Sequence, residues 1–215
     1  ADIYNITIND VKGYGIKFIY DGFFKDVKIH DCTMNLSESD AQWSEKIAIE
    51  LWNVGPGNEI YNLNCNTWLS VINHPALFNN PTGTEQLKIY NVRMIDNDGV
   101  SSKEAIEAGV PGMEIYNCYF EDKGFGMAVW ETGRQNIVIR NNIFRNTREH
   151  GFFGGPGPAV YIDNSTTWTF ENIQIHNNVF DTYYGNAIKI VGRNISNVSI
   201  KNNVFLNTNI SGQYD

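Results

Sequence analysis

An isoleucine followed two positions later by asparagine or aspartate returns eight times along this 215-residue chain. The isoleucine column reads Ile8, Ile29, Ile60, Ile89, Ile115, Ile139, Ile175 and Ile200. The second column reads Asp10, Asp31, Asn62, Asn91, Asn117, Asn141, Asn177 and Asn202. From the second repeat onward a bulky apolar residue follows three positions later: Met34, Cys65, Met94, Phe120, Phe144, Phe180 and Phe205. Self-similarity at a period of some 20–50 residues marks a repeat architecture. The unit is short and rich in β-formers and asparagine, so it predicts stacked coils of strand and turn rather than helix pairs. The shortest separation, 21 residues between Ile8 and Ile29, reads as the basic coil, and the longer ones carry insertions.

Composition narrows the partners. Charged residues make up 19 % of the chain and its net charge is −8, which excludes the basic face that a nucleic-acid partner requires. No apolar run approaches the roughly 18 residues of a membrane span. The first residues lack the charged and apolar regions of a secretory leader, so the chain reads as mature protein or as a module of a longer one with further domains. Cys32, Cys65 and Cys118 fall inside the repeat columns at spacings that fit no metal motif, and are expected as buried thiols.

A second alternation recurs within the coils, with a small residue often at its head. It is clearest at Gly15-Ile16-Lys17-Phe18-Ile19, Ala48-Ile49-Glu50-Leu51-Trp52, Gly126-Met127-Ala128-Val129-Trp130, Ala159-Val160-Tyr161-Ile162-Asp163 and Ala187-Ile188-Lys189-Ile190-Val191. Trp68-Leu69-Ser70-Val71-Ile72 and Ala105-Ile106-Glu107-Ala108-Gly109 extend the series. Period-two alternation predicts a half-buried strand in each coil, stacked on its neighbours at about 4.8 Å. The pairs Asn141-Asn142, Asn177-Asn178 and Asn202-Asn203 predict a turn, since asparagine tolerates the left-handed region. Their amides can bond one another along the stack.

These Asn-Asn-x-Phe turns and x-Ala-Ile/Val-x-Ile strands resemble the right-handed parallel β-helices of the pectate-lyase-like superfamily, over the whole chain. The resemblance implies an all-β, single-stranded right-handed parallel β-helix of about eight coils, one domain over residues 1–215. It also implies action on carbohydrate in a secreted, periplasmic or cell-surface setting. The superfamily spans lyases, hydrolases, epimerases, tailspikes and non-catalytic binders. The Asp-Pro-His-Asp run of its epimerases, the Asn-Thr-Asp, Asp-Asp and Gly-His-Gly set of its polygalacturonases and the Arg-x-Pro-x-x-Arg of its pectate lyases are all missing here. No catalytic residue therefore carries over.

Outward residues of the small-headed strands gather acids, indoles and amides into columns. Glu50, Glu107 and Tyr161 share one, between Lys17 and Lys189; Trp52, Trp130 and Asp163 share the next; Asn73 and Glu131 stand at the strand exits, with His74 adjacent. Exposed aromatic clusters mark binding sites, and rings of this kind stack on sugars. Segments 35–46, 74–84, 95–104, 146–158 and 164–171 are expected to wall the same face. The run from His150 to Pro158 is expected to lack regular structure. Glycosidases need two carboxyl groups about 5–5.5 Å apart for retention and roughly 6.5–9.5 Å for inversion. Glu107 and Glu131, on consecutive coils, are the leading catalytic pair, with Glu50 and Asp163 as substitutes. Trp52, Trp130, Tyr161, Asn73, His74 and Lys189 are candidates for holding an oligosaccharide or polysaccharide. A non-catalytic carbohydrate-binding or adhesion module is the rival reading, and a polysaccharide lyase comes third because bases and cations are sparse. No cofactor is required. Asp96, Asp98 and Glu104 read either as a loose structural calcium loop or as a polar turn.

Overall fold

The computed structural model describes residues 1–9, 14–18, 25–35, 47–51, 55–66, 71–72, 87–95, 105–106, 112–121, 127–129, 134–145, 149–150, 155–156, 158–164, 170–181, 186–192 and 194–207. They contain strands and turns and no helix, hence none long and apolar enough to cross a membrane. Eight passes of the chain build one fourteen-stranded sheet in which every pairing is parallel. The isoleucine and phenylalanine columns are therefore literal stacks. Ile29, Ile60, Ile89, Ile115, Ile139 and Ile175 align rung over rung and lie buried. Met34, Cys65, Met94, Phe120, Phe144 and Phe180 form the second buried stack.

The first coil departs from expectation. Ile3 pairs with Ile29, and Ile8 pairs with Met34. Ile8 thus begins the Met/Phe column rather than the isoleucine column, and Asn5 replaces Asp10 at the corner. The shortest coil becomes the 24-residue interval between Ile115 and Ile139.

The corners explain the asparagines. Asn5, Asp31, Asn62, Asn91, Asn117, Asn141, Asn177 and Asn202 all have φ between 53° and 57°, the left-handed region that costs asparagine and aspartate least among non-glycine residues. One such residue per coil turns the chain from the isoleucine strand to the phenylalanine strand. A second left-handed column lies three residues before Ile29, Ile60, Ile115, Ile139, Ile175 and Ile200 in turn: Asp26, Gly57, Gly112, Asn136, Asn172 and Asn197, with φ between 51° and 76°. At Gly57, with φ 76°, a Cβ would displace the Asp26 carboxylate.

Side-chain amides bond along the stack at both corners. Outside, Asn62 Nδ2 donates to Asp31 Oδ1 (3.0 Å) and Asn91 Nδ2 to Asn62 Oδ1 (3.2 Å). At the other corner Asn172 donates to Asn136, and Asn197 to Asn172. Inside, Asn142, Asn178 and Asn203 form a second ladder. Its position is taken by Cys32, Leu63, Val92 and Cys118 in earlier coils, so this inner ladder keeps to the C-terminal half as expected. The three cysteines are free and buried; burial pushes the Cys118 thiol up to about 12.

The small-headed strands are in part as expected. Tyr14–Phe18, Ile47–Leu51 and Val71–Ile72 make one three-stranded parallel sheet, and Met127–Val129, Val160–Asn164 and Ile188–Gly192 make another. Ala105 and Ile106, between them in sequence, are buried. In the third coil Glu50 pairs with Ile72, two residues beyond the Ser70 expected opposite it. A two-residue slip keeps every side chain on its own face, so alternation alone cannot fix this register. Residues 149–156 also differ from the irregular run expected: Glu149–His150 pairs antiparallel with Gly155–Pro156. A ladder only two residues long accommodates the proline at its edge.

Candidate functional site

On the N-terminal small-headed sheet, Lys17 and Glu50 are cross-strand neighbours. Ile49 and Leu51 point into the core, so Glu50 points away from it. Even so, Glu50 is only 2 % exposed, although Lys17 beside it reaches solvent. Lys17 Nζ lies 2.6 Å from Glu50 Oε2. That oxygen makes no aligned hydrogen bond, so charge rather than bond directionality holds the pair.

The C-terminal sheet repeats the pattern. Ala128, Tyr161 and Lys189 share a column, as read from the sequence. Val160 and Ile162 enter the core, and Tyr161 on the opposite face is still only 4 % exposed. Lys189 Nζ lies 5.6 Å from the centre of the Tyr161 ring, within the range of a cation–π contact. Asp163 stands opposite Val191 in the next column. Two outward positions, one per sheet, are thus buried, and each partners a lysine.

Removing one member of a buried ion pair leaves an uncompensated charge. Lys17→Met is expected to destabilise the protein by about 2 kcal/mol, below the full buried-pair loss because the lysine is partly exposed. Lys17→Met combined with Glu50→Met should recover most of that loss in urea titrations. Equal losses in the single and double variants would refute the pairing.

Of the residues expected at the site, Glu50, Tyr161 and Lys189 lie on this outward column, and Asp163 is placed by its strand. Glu107, Glu131, Trp52, Trp130, Asn73 and His74 lie outside the described residues, as do Asp96, Asp98 and Glu104 of the calcium reading and most of the insertions. Among the described residues no group of three or more metal-ligating side chains converges.

The long sheet carries a surface feature that the sequence reading passes over. The residue after each column isoleucine forms a ladder of rings: Tyr4, His30, Tyr61, Tyr90 and Tyr116. Neighbouring centroids are 5.2, 4.6, 4.8 and 4.9 Å apart, with planes within 7° of parallel. Arg140 caps the stack, 4.2 Å from the Tyr116 centroid, while Glu114 holds its guanidinium at 2.6 Å. Two positions earlier the column alternates in sign as Asp2, Lys28, Glu59, Lys88 and Glu114, the opposite-charge pairing that stabilises neighbouring strands. Lys28 Nζ sits 4.0 Å from Glu59 Oε1, and the Tyr90 hydroxyl donates to Glu59 Oε2 at 2.8 Å. Burial, then this bond to Glu59, pushes the Tyr90 phenol above its ordinary value. The signal was legible as Tyr, His, Tyr, Tyr, Tyr, Arg at one column position.

This ladder is chemically self-satisfied. Each inner ring has both faces against neighbouring rings or Arg140, so only edges remain for a ligand, and a sugar stacks on ring faces. The small-headed sheets instead combine buried outward polar groups with flanking insertions. No family model, curated protein or solved structure matches the chain in the three comparisons made.

Proposed function

We propose that this chain is a right-handed parallel β-helix that binds a polysaccharide along its small-headed face and cleaves it by glycoside hydrolysis. The handedness follows from a general constraint: a crossover joining parallel strands of one sheet is right-handed in about 98 % of cases. The observation that carries the binding reading is the burial of two outward residues, Glu50 and Tyr161, 2 % and 4 % exposed on the side away from the core. A bare solenoid face would leave them open. The insertions that flank these strands in sequence fit a groove, because loops on a rigid scaffold are where function concentrates.

In this reading Glu107 and Glu131 are the carboxyl pair, with Asp163 as the substitute. Glu50 is committed to Lys17 and serves to shape the groove. Lys189, Trp52, Trp130, Asn73 and His74 hold sugars, and Tyr161 acts by supporting Lys189. A polymer of this kind places the protein in a secreted, periplasmic or cell-surface setting. Asp96, Asp98 and Glu104 would take a structural calcium ion at most. The commitment of Glu50 to an ion pair favours a second reading, a binding module without turnover.

One experiment separates them: a glycan array, with reducing-sugar and unsaturated-product assays on every polymer bound. Hydrolysis predicts reducing ends without unsaturation, and a loss of roughly a hundredfold or more in rate for Glu107→Gln and Glu131→Gln with binding kept. Trp52→Ala or Trp130→Ala should weaken binding about tenfold, or about 1.4 kcal/mol. Binding without turnover would leave the module reading, unsaturated products would make the chain a lyase, and no glycan bound would reject the assignment.

A further inference from the structure

The second ring of the ladder is a histidine, and its surroundings leave it only one comfortable charge state. His30 Nδ1 lies 2.7 Å from Asp31 Oδ2, and Nε2 lies 2.9 Å from Asp2 Oδ1. Both carboxylates only accept hydrogen bonds when ionised, so both ring nitrogens must donate, and the ring must be an imidazolium. The rings of Tyr4 and Tyr61 cover its two faces at 5.2 and 4.6 Å, where aromatic quadrupoles favour a cation. A neutral ring could donate to one carboxylate only, turning a lone pair toward the other.

The partners belong to different coils. Asp2 and Tyr4 come from the first strand, Asp2–Tyr4, which pairs with Lys28–Asn35 alone among the described strands. Asp31 is on the same strand as His30, and its Oδ1 accepts from Asn62 of the third coil. The other charged groups nearby are Lys28, engaged with Glu59, and the Ala1 ammonium, which donates to the Asp26 carbonyl at 3.2 Å.

We propose that His30 is a protonation latch: the imidazolium ties the first strand to the stack, and loss of its proton to water frees that strand. Release would uncover the backbone edge of Lys28–His30, a short parallel edge open to pairing with another strand, while Thr7–Asn9 stays on Thr33–Asn35. The direction of titration supports this. The bond to Asp31 raises the ionisation of His30 above its ordinary 6.5, burial opposes that, and the bond to Asp2 adds to it. The His30 contribution is therefore complete below pH 6.5 and disappears as pH rises through the raised folded value. Asp31 is held below its ordinary 3.8 by His30 and then by Asn62, so its contribution is present above that pH and is lost as pH falls through the lowered value. The latch is closed between the two.

The test is a proton NMR titration of the His30 ring in the full chain, with amide exchange corrected for base catalysis. The Lys28 amide donates to the Ala1 carbonyl at 2.9 Å and reports release, whereas the Thr33 amide, which donates to the Ile6 carbonyl at 2.9 Å where Thr7–Asn9 pairs, serves as the control. The ring midpoint is expected above 6.5, falling toward it in Asp2→Asn, and the Lys28 amide should lose protection above that midpoint while Thr33 and Phe144 keep theirs. His30→Gln should leave the Lys28 amide unprotected at every pH, and His30→Arg, a permanent planar cation, should keep it protected at every pH above the titration of Asp31. A midpoint at or below 6.5, protection unchanged across it, or a His30→Arg variant that opens at the parent's pH would each overturn the proposal.

Discussion

Replacing Asn178 with alanine should cost about 4 kcal/mol, while the same change at its neighbour Asn177 should cost about 1 kcal/mol. Asn178 is fully buried. Its Nδ2 donates to the Ile139 carbonyl (2.9 Å) and to Asn203 Oδ1 (3.1 Å). Its Oδ1 accepts from both the backbone and the side-chain nitrogen of Asn142, at 3.0 and 3.1 Å. Alanine would strand the Asn142 amide and the Ile139 carbonyl where water is absent, at about 1–3 kcal/mol for each orphaned group, and would leave a void besides. Asn177 is exposed and its role is conformational, so alanine there pays only the left-handed penalty of about 1 kcal/mol. Asn177→Gly should be close to neutral. Thermal unfolding followed by circular dichroism would read the Asn178 loss as a drop of roughly 10 °C for a chain of this size. Equal losses at the two positions would show that the inner ladder contributes nothing beyond turn geometry.

The phenylalanine stack should respond with comparable severity but unevenly along its length. Phe144 is fully buried, between Phe120 and Phe180 at 5.0 Å from each. Phe144→Ala removes a whole ring from a packed column, and such deletions cost about 3–5 kcal/mol once the residual cavity is included. Phe205 continues the stack at 5.3 Å from Phe180 yet is 47 % exposed. Its truncation should cost about 1–2 kcal/mol, because roughly half of its surface already meets solvent. Guanidinium titrations of the two variants would measure the difference. A loss at Phe205 matching that at Phe144 would mean that the last coil is covered in solution.

The sequence carried the architecture because each column answers to one physical requirement. Isoleucine and phenylalanine fill the interior, and asparagine or aspartate turns the corner. The first coil was misread although Ile3, Asn5 and Ile8 fit the full three-column pattern; the pair Ile8 and Asp10 competed for it with only two. The register of Val71–Ile72 was beyond alternation, which a two-residue slip leaves intact. At the candidate site, Lys17 beside Glu50 and Lys189 beside Tyr161 followed from correct alignment. The burial of Glu50 and Tyr161 did not, because burial on an outer face depends on distant segments rather than on the strand's own pattern. The ring ladder is readable as Tyr4, His30, Tyr61, Tyr90 and Tyr116, one residue after each column isoleucine, but it lies on the long sheet and not on the small-headed strands.

Among the described residues each rung of the long sheet pairs only with the rungs before and after it, and aligned isoleucines are 24 to 36 residues apart. Sequence separation between partners therefore stays near 28 residues, about 0.13 of the chain, a relative contact order typical of mixed α/β domains rather than all-β ones. Adding a coil would lengthen the protein without lengthening any loop that must close. Folding speed should then depend on how fast one coil docks on the next, and hardly at all on how many coils there are.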